Sequence, residues 1–359
     1  MIGVELERAG YSGVQIGVVV GALLAGSAAV SLLLARHGER IGRRRAYRLL
    51  LVAMGIAGLV FALTTWLPAL ILAGLTGAVS TESNDNGPMT ALEQAMLPSV
   101  AGTRTPAGLF GVYNAVAVGA GAVGALAAAL PGGRWLLLSY PVAALVASVA
   151  ASRISAAVEA IPRDPAEQLP PLHRSKSIVH RLAGLFALDS LGGGFVVQTY
   201  LAFWLTRRFD ADPQLLGVVF FVTGLLAAAS FYAAVRLAAR IGLLRTMVFT
   251  HLPSNLLLAA VPFSPNLEVA IGLLCARFAL SQMDVPTRQA YVVGVVDPSE
   301  RVAAAALTGT ARAVVRPLAP LVAMPLLGGA LAAPFVIAGA LKCIYDLGLY
   351  GLFRKVDPA

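Results

Sequence analysis

The sequence predicts an all-α polytopic membrane protein whose two helical halves resemble each other. Of its 359 residues, 58% are hydrophobic and only 13% are charged, and its mean hydropathy is +0.79. A water-soluble chain of this length carries more surface charge. The chain also repeats itself, because Arg-Ile-Gly at 40–42 recurs at 240–242 and Gly-Val-Val at 17–19 recurs at 217–219. Two similar sets of membrane helices are the simplest cause of such a repeat.

Apolar stretches close to the roughly 20 residues that a helix needs to cross a bilayer follow one another along the chain. We interpret them as helices because an open strand cannot satisfy its backbone hydrogen bonds in lipid. In the fourth stretch, small residues predict close helix packing at Gly111, Gly119, Gly121 and Gly124. The eleven predicted spans are 14–36, 46–65, 67–97, 106–130, 134–152, 181–204, 215–236, 244–263, 266–296, 303–328 and 332–353.

The stretch 154–180 interrupts this series of apolar segments. It is polar and contains Pro165, Pro170 and Pro171, which is typical of a linker between structured units. The predicted organisation is an N-terminal helical half at 1–153, the linker at 154–180, a C-terminal helical half at 181–353 and a short tail at 354–359.

Charged residues predict how the chain is oriented in its membrane. Basic side chains concentrate around 36–48, 153–176, 236–245 and 354–355, and they are sparse in the loops between these regions. The positive-inside rule therefore places the basic loops, the linker and the C-terminus in the cytoplasm, in a multi-pass protein of the cytoplasmic (inner) membrane. The net charge of +9 follows from this topology, so we expect a lipid bilayer and no nucleic acid as its partner.

The two halves differ at their beginnings. The span 181–204 precedes the segment that matches the start of the chain, and Met1 corresponds to about Leu201 by the repeat. The first half therefore has no counterpart of that span. We infer that the chain carries eleven of twelve expected helices and lacks the first one.

A loop motif gives these halves a resemblance to a known family. Residues 35–44 read Ala-Arg-His-Gly-Glu-Arg-Ile-Gly-Arg-Arg. This segment resembles the Gly-x-x-x-Asp-Arg-x-Gly-Arg-Arg motif of the major facilitator superfamily, with Ala35 in place of the first glycine and Glu39 in place of the aspartate. The resemblance implies two six-helix halves that rock around a central substrate site.

The same resemblance implies a cytoplasmic gate at this loop. In the family, charged residues at the helix end latch one helix to another and release it when the halves rock. A purely topological role, in which the cations hold the loop inside, is the alternative. The candidate gate residues are Glu39, Arg40, Gly42, Arg43 and Arg44, with Arg240 and Gly242 in the second copy, which has lost the acid.

Acidic and amide side chains mark a candidate cavity in the first half. Glu82, Asn84 and Asp85 lie within the predicted span 67–97, followed at once by a helix-breaking Asn-Gly-Pro. An ionised carboxylate at that depth costs several kcal/mol, roughly 2.5 or more, unless it faces water or a partner. The alternative is a short helix followed by a polar cytoplasmic loop.

Cations mark the corresponding region of the second half. Arg312 and Arg316 lie one helical turn apart, and Asn114 falls opposite Arg312 by the repeat. We interpret these charges either as ion pairs that hold the halves together or as a site for an anionic substrate group. The remaining candidates for the substrate and proton cavity are Asp189, Gln198, Arg277, Gln282, Asp284 and Arg288.

Other residues receive modest roles. Lys342 and Asp346 are four apart on one helix, a spacing that predicts an ion pair between them. His251 precedes Leu-Pro, and we interpret it as a packed polar residue and not as a proton relay. Cys275 and Cys343 lie in apolar segments and imply no disulfide framework.

The sequence predicts a transporter and not an enzyme. It contains none of the common hydrolase, phosphate-loop or metal-site motifs, and we expect no cofactor and no metal. The predicted function is secondary active transport of a small polar or amphipathic solute by a monomer, coupled to protons, with efflux slightly favoured. Proton-linked uptake of an organic anion and a non-transporting regulatory or truncated protein are the alternatives.

Overall fold

Helices are the regular elements of this protein throughout the part that the structure describes. The computed structural model describes residues 5–7, 9–79, 87–96, 106–127, 133–159, 172, 174–297 and 300–356. The helices of the first half are α1 Gly13–Ile41, α2 Arg43–Leu63, α3 Leu67–Leu75, α4 Pro88–Met96, α5 Pro106–Ala127 and α6 Ser139–Ser152. The helices of the second half are α7 Lys176–Phe195, α8 Gln198–Phe209, α9 Pro213–Ile241, α10 Leu243–Ala260, α11 Leu267–Ser281, α12 Asp284–Val295, α13 Arg301–Val315, α14 Leu318–Ala323 and α15 Ala333–Phe353.

Most predicted spans are confirmed by long apolar helices. Among the described residues, eight helical segments are long and apolar enough to cross a membrane, and Val116–Ala127 adds a shorter apolar helix. Local sequence explains where several of them begin. Asp212 accepts a hydrogen bond from the Leu215 amide at 2.7 Å, and Asn266 accepts one from the Val269 amide at 3.0 Å. These side chains satisfy the first backbone donors of α9 and α11.

Four predicted spans are not continuous helices. The spans 181–204 and 266–296 break after Phe195 and Ser281. The span 67–97 ends its first helix at Leu75 and resumes at Pro88, and the span 303–328 turns at Arg316 and Pro317 between α13 and α14. Proline removes a backbone donor and clashes with the preceding turn, which accounts for the break at Pro317. The break after Leu75 coincides with Gly77, whose φ of 65° is a left-handed conformation that favours glycine.

The two halves meet along two seams. In the first, glycines on one face of α1 pack against α14: a Cβ placed on Gly13 would lie 2.6 Å from the Met324 carbonyl oxygen, and one on Gly17 would lie 2.8 Å from that of Pro320. In the second, α5 packs against α9, with Gly224 next to Ala122. Missing side chains thus allow backbones to approach closely.

The glycines predicted to pack closely in α5 do not do so where the structure describes them. A Cβ on Gly119 or Gly124 would meet no heavy atom of the described residues within 4 Å. The surroundings of Gly111 and Gly121 lie outside what the structure describes. The prediction was wrong for the two described glycines because a run of small residues permits close packing without supplying a partner helix.

Hydrophobic clusters join the halves at one end of the bundle. A large cluster contains Val19 and Leu23 of α1 together with Tyr200, Trp204 and Phe335 of the second half. Toward the basic loops the described residues instead form two separate clusters, one built from α7, α10, α12, α13 and α15 and one built around α2 and α4. The described halves are therefore packed together at the end opposite the basic loops and separately packed near them.

The repeated basic loops share one backbone geometry. Gly42 has φ 85° and ψ 132°, and Gly242 has φ 87° and ψ 162°. Each is a single residue that separates two long helices, α1 from α2 and α9 from α10. This positive-φ region is strained for any residue with a Cβ.

We predict that Gly242→Ala destabilises the protein by about 1–3 kcal/mol, because alanine is strained at this φ. A Cβ at Gly242 meets nothing within 4 Å among the described residues, so crowding does not contribute. The matched control is Gly272→Ala, on an exposed part of α11 with open space around it. Thermal unfolding in detergent measures both, and an equal melting temperature for the two variants contradicts the prediction.

Candidate functional site

A polar cavity of about 190 Å³ lies within the C-terminal half. Its walls come from α7 to α13 and from α15. Three helix breaks face the cavity: Val196 lies between α7 and α8, Gln282 between α11 and α12, and Arg316 between α13 and α14. Its charged and polar lining residues are Asp189, Ser190, Gln198, Thr223, His251, Asn255, Arg277, Ser281, Gln282, Asp284, Arg288, Arg312, Arg316 and Lys342.

Asp189 of α7 is the buried carboxylate around which the cations gather. Its Oδ1 accepts a hydrogen bond from Lys342 Nζ at 2.6 Å, and its Oδ2 lies 3.4 Å from Arg288 Nη1. The Nε2 of His251 lies 3.7 Å from the same Oδ1 that Lys342 binds. The Asp189 side chain is only 5% exposed, so these partners supply the counter-charge that water supplies elsewhere.

Arg288 links Asp189 to a second carboxylate. Its Nη1 donates to Asp284 Oδ2 at 2.6 Å, one turn earlier on α12, and its guanidinium lies 5.5 Å from the centre of the Phe186 ring. Asp284 is thereby held toward the cavity at the N-terminus of α12, where a negative charge also meets the favourable end of the helix dipole. One guanidinium therefore fixes two carboxylates from different helices.

Asp346 of α15 lies behind this cluster and orients His251. Its Oδ1 is 2.9 Å from His251 Nδ1, and its Oδ2 accepts a hydrogen bond from Asn255 Nδ2 at 2.8 Å. Tyr345 presents its ring to the imidazole, with centroids 5.7 Å apart. The side chains of His251 and Asp346 are 5% and 1% exposed. A buried chain of polar groups thus runs from Asp346 through His251 to Asp189.

Arg277 and Arg312 also line the cavity, and backbone contacts fix the helices that carry them. Ser190 Oγ donates to the Arg312 carbonyl at 2.9 Å, and Ser254 Oγ donates to that of Arg277 at 3.3 Å. The Arg277 guanidinium lies 4.7 Å from the centre of the Phe278 ring. The Nε of Arg312 is buried and has no hydrogen-bond partner among the described residues. Backbone contacts thus anchor the helix positions from which these guanidinium groups project.

The described lining has a positive balance of charge. Among the described lining residues, the cations Arg288, Arg312 and Lys342 face two carboxylates, Asp189 and Asp284. In a medium of low dielectric constant, an excess of buried cations favours a bound anion.

Many of the residues predicted from the sequence to face a cavity line this one. The structure brings together the predicted residues Asp189, Gln198, Arg277, Gln282, Asp284, Arg288, Arg312 and Arg316 in its lining. Predicted Glu82, Asn84 and Asp85 lie outside the described residues. Asn114 belongs to α5, but its side chain is outside what the structure describes.

The predicted ion pair between Lys342 and Asp346 was wrong. Lys342 binds Asp189 of another helix, and Asp346 binds His251 and Asn255. Residues four apart share a helix face, but here polar groups on neighbouring helices lie within hydrogen-bond distance of both side chains. His251, Asn255 and Lys342 were not among the predicted cavity residues. Their signal was that ionisable residues inside membrane helices are usually functional, whatever pairs their spacing suggests.

The first basic loop is held by an acid from outside the motif. Glu159 accepts hydrogen bonds from the amides of Arg43 at 2.7 Å and Arg44 at 3.3 Å, and so caps the N-terminus of α2. Arg43 Nη1 also donates to the Val158 carbonyl at 3.3 Å. The side chains of Glu39 and Arg40 lie outside what the structure describes. Arg240 in the second copy is exposed.

A separate acidic site links three helices of the first half. Glu93 of α4 accepts hydrogen bonds from the Tyr47 hydroxyl at 2.7 Å and the Tyr113 hydroxyl at 2.5 Å. These contacts join α2, α4 and α5. Two phenol hydroxyls thus donate hydrogen bonds to the Glu93 carboxylate.

Comparisons with known proteins agree with this architecture. A family model described as Major Facilitator Superfamily matches residues 4–320. The uncharacterized membrane protein YJR124C of Saccharomyces cerevisiae is 24% identical, over 96% of this chain and 87% of its own length. Two solved structures share the fold. The human organic anion transporter MFSD10 has a TM-score of 0.60 at 20% identity, covering 94% of this chain and 83% of its own. A D-xylose-proton symporter has a TM-score of 0.73 at 13% identity, and the match covers 98% of this chain and 90% of the symporter.

We predict that Asp189→Asn destabilises the folded protein by about 3–5 kcal/mol, because Lys342 and Arg288 lose a buried counter-charge. The control is Glu7→Gln, which removes the partner of Arg207 from an ion pair whose side chains are 27% and 48% exposed. That change is expected to cost less than about 1 kcal/mol. Denaturant unfolding in detergent measures both.

Adding Lys342→Met to Asp189→Asn should restore part of the lost stability, since the unpaired ammonium is then removed. Equal losses for Asp189→Asn and Glu7→Gln, or no recovery in the double variant, would show that the buried pair is not the source of the stability.

Proposed function

This chain belongs to the Major Facilitator Superfamily, and from that premise we propose that it moves a small organic anion across its membrane by alternating access. Three cations that line the cavity of the C-terminal half, Arg288, Arg312 and Lys342, carry this proposal, because only two carboxylates face them among the described residues. A bound carboxylate, sulfonate or phosphate group relieves the cost of holding those cations in low dielectric. A neutral solute gives no such relief.

The geometry of the arginines favours carboxylate-like groups. A guanidinium presents a planar fork of donors that matches a carboxylate, and it stays charged at any physiological pH. The buried Nε of Arg312 has no hydrogen-bond partner among the described residues, which leaves a donor for a ligand oxygen. The neighbouring Phe220 and Phe278 also line the cavity and suit an apolar body on the anion.

The two seams support movement of one half against the other. At each seam, glycines of one half lie close to a helix of the other, Gly13 and Gly17 of α1 against α14 and Gly224 of α9 against α5. We propose that the halves rock about these close contacts. The loops at Gly42 and Gly242 lie at the end where the described halves pack separately. We propose that these loops form the gate and that Arg43, Arg44 and Arg240 act within it.

First-half residues complete the proposed site. Glu82, Asn84 and Asp85 correspond by the repeat to the region of α11 and α12, and Asn114 corresponds to Arg312. We propose that they face the same solute from the other side. Together with Glu93, they would give the first half its acidic and amide character against the cationic second half.

The cavity favours an anion over the broader class of polar or amphipathic solutes. The human organic anion transporter MFSD10 shares the fold, and its class of solute agrees with this chemistry. A neighbour described as a D-xylose-proton symporter is consistent with coupling to protons in this fold. We propose proton-linked transport at a cellular membrane with the C-terminus in the cytoplasm. The charge balance favours uptake together with protons over efflux.

Stabilisation by candidate solutes tests the proposal directly. Purified protein in detergent is heated with benzoate, succinate or lactate as anions and with xylose or uridine as neutral solutes of similar size. We predict a higher melting temperature with at least one anion and none with the neutral solutes. Stabilisation by xylose or uridine alone would overturn the anionic substrate class.

We predict that Arg312→Ala raises the KM for the stabilising anion at least tenfold in proteoliposomes. Loss of one charge-assisted hydrogen bond costs about 1.5–3 kcal/mol, which corresponds to roughly ten- to a hundredfold in affinity. Arg312→Lys should retain part of the affinity because the charge remains. Arg354→Ala, exposed beyond the end of α15, is the matched control. An unchanged KM in Arg312→Ala would remove this residue from the site.

A further inference from the structure

We propose that His251 takes up the proton that is coupled to transport, and that its protonation transfers Asp189 from Lys342 to His251. Lys342 is then free to bind the anionic group of the solute. The inference rests on the proposed function and deepens it, since it names the proton-binding atom and the cation that the proton releases.

The neighbours of His251 determine which ring nitrogen is available. Nδ1 lies 2.9 Å from Asp346 Oδ1, a carboxylate that only accepts hydrogen bonds. In the neutral imidazole the proton therefore lies on Nδ1. Asn255 Nδ2 lies 3.1 Å from the same Nδ1 and donates to the other Asp346 oxygen at 2.8 Å. The shorter contact of Nδ1 with the Asp346 carboxylate, at 2.9 Å, favours the proton on Nδ1. Nε2 remains as the basic atom, and it faces Asp189.

Lys342 and His251 compete for one oxygen atom. Lys342 Nζ binds Asp189 Oδ1 at 2.6 Å, whereas His251 Nε2 lies 3.7 Å from that same oxygen, beyond hydrogen-bond distance. A proton from water that binds Nε2 makes this nitrogen a charged donor aimed at Oδ1. If Nε2 and Oδ1 approach each other by about 1 Å, they form a charge-assisted hydrogen bond, whose usual length is about 2.7–2.9 Å.

The charges of all surrounding helices shape this competition. His251 is on α10, which packs against α15, α11, α12 and α9. The cavity residues that α9 supplies are uncharged, namely Phe220, Thr223, Gly224 and Ala227. The charged and titratable groups around His251 and its partner Asp189 are Lys342, Tyr345 and Asp346 of α15, Arg277 of α11, Asp284 and Arg288 of α12, and Arg312 of α13.

Charge balance makes proton and anion binding mutually dependent. In the described state Asp189 neutralises Lys342, so an entering anion meets a cation already in use. One proton on His251 supplies one positive charge, and the anion that binds Lys342 supplies one negative charge. The loaded cavity therefore has the same net charge as the empty one, which keeps the electrostatic cost of crossing the membrane low. Proton and anion travel in the same direction.

Histidine suits this role because its charge changes near neutral pH. Asp189 has three cationic or potentially cationic neighbours within 4.0 Å, and those neighbours favour its ionised form. His251 instead has a carboxylate at each ring nitrogen. A carboxylate thus faces each nitrogen that donates a hydrogen bond when the ring is protonated.

Transport in proteoliposomes separates proton coupling from solute binding. Radiolabelled benzoate is the probe, replaced by succinate if only succinate stabilises the protein against heat. The wild type should accumulate the probe under an inward proton gradient, by up to about tenfold for one pH unit with one proton per anion. It should also exchange internal for external probe without a gradient, at a rate that depends on pH.

We predict that His251→Gln loses gradient-driven accumulation by at least fivefold. Its exchange should persist at an altered rate that no longer varies between pH 5.5 and 8. The control is His180→Gln, since His180 is exposed near the start of α7. Gradient-driven accumulation that survives in His251→Gln overturns the inference. Exchange that still varies with pH in a folded His251→Gln also overturns it, because another group would then take up the coupled proton.

Asp346 is a positioning residue in this scheme, and its test uses the pH profile. Asp346→Asn removes the negative charge that faces Nδ1 and favours the charged imidazole, so the midpoint of the exchange profile should move to lower pH. Asp346→Glu should return it toward the wild-type value. A profile unchanged in Asp346→Asn contradicts the assignment. A wild-type protein that binds none of the anions refutes the proposed function itself, a result distinct from any failure of the His251 variants.

Discussion

The cost of an unbalanced charge inside a membrane is the constraint that organises this protein. Asp189, Arg288 and Lys342 are nearly inaccessible to solvent, and each obtains its counter-charge from another helix or another turn. Because ion pairs are strong and geometrically demanding in low dielectric, they fix how α7, α12 and α15 sit relative to one another. The cavity thus has rigid walls on the side where the cations outnumber the described carboxylates.

The remainder of the fold allows the halves to move around that rigid site. At the seams between them, glycines pack against the backbone of the facing helix, as at Gly17 against Pro320. Large aromatic side chains such as Trp204 and Phe335 close one end of the described bundle. The opposite end has a separate hydrophobic cluster in each half. A bundle joined at one end and loose at the other is suited to opening and closing about a central cavity.

Buried polar chemistry connects the site to the proposed energy source. His251 bridges Asp346, which no solute needs to touch, and Asp189, which holds the cations of the cavity. A change of charge at one imidazole therefore alters the partners of a lysine on a different helix. The same carboxylate serves as structural counter-ion in the empty site and as the group that a solute displaces, so stability and transport draw on one set of contacts.

The hydropathy and the repeat determined from sequence alone that this is a two-half helical membrane protein, and the basic motif identified its family. Eight of the twelve predicted cavity residues line the described cavity, because ionisable residues in apolar helices have few other reasons to be there. Spacing within one helix misassigned Lys342, and a run of glycines in α5 marked no close contact at Gly119 or Gly124. Only the tertiary structure decided that Lys342 binds Asp189 and that His251 lies between two aspartates. The physical reason is that buried charges choose partners by distance in space, and helices remote in sequence determine those distances.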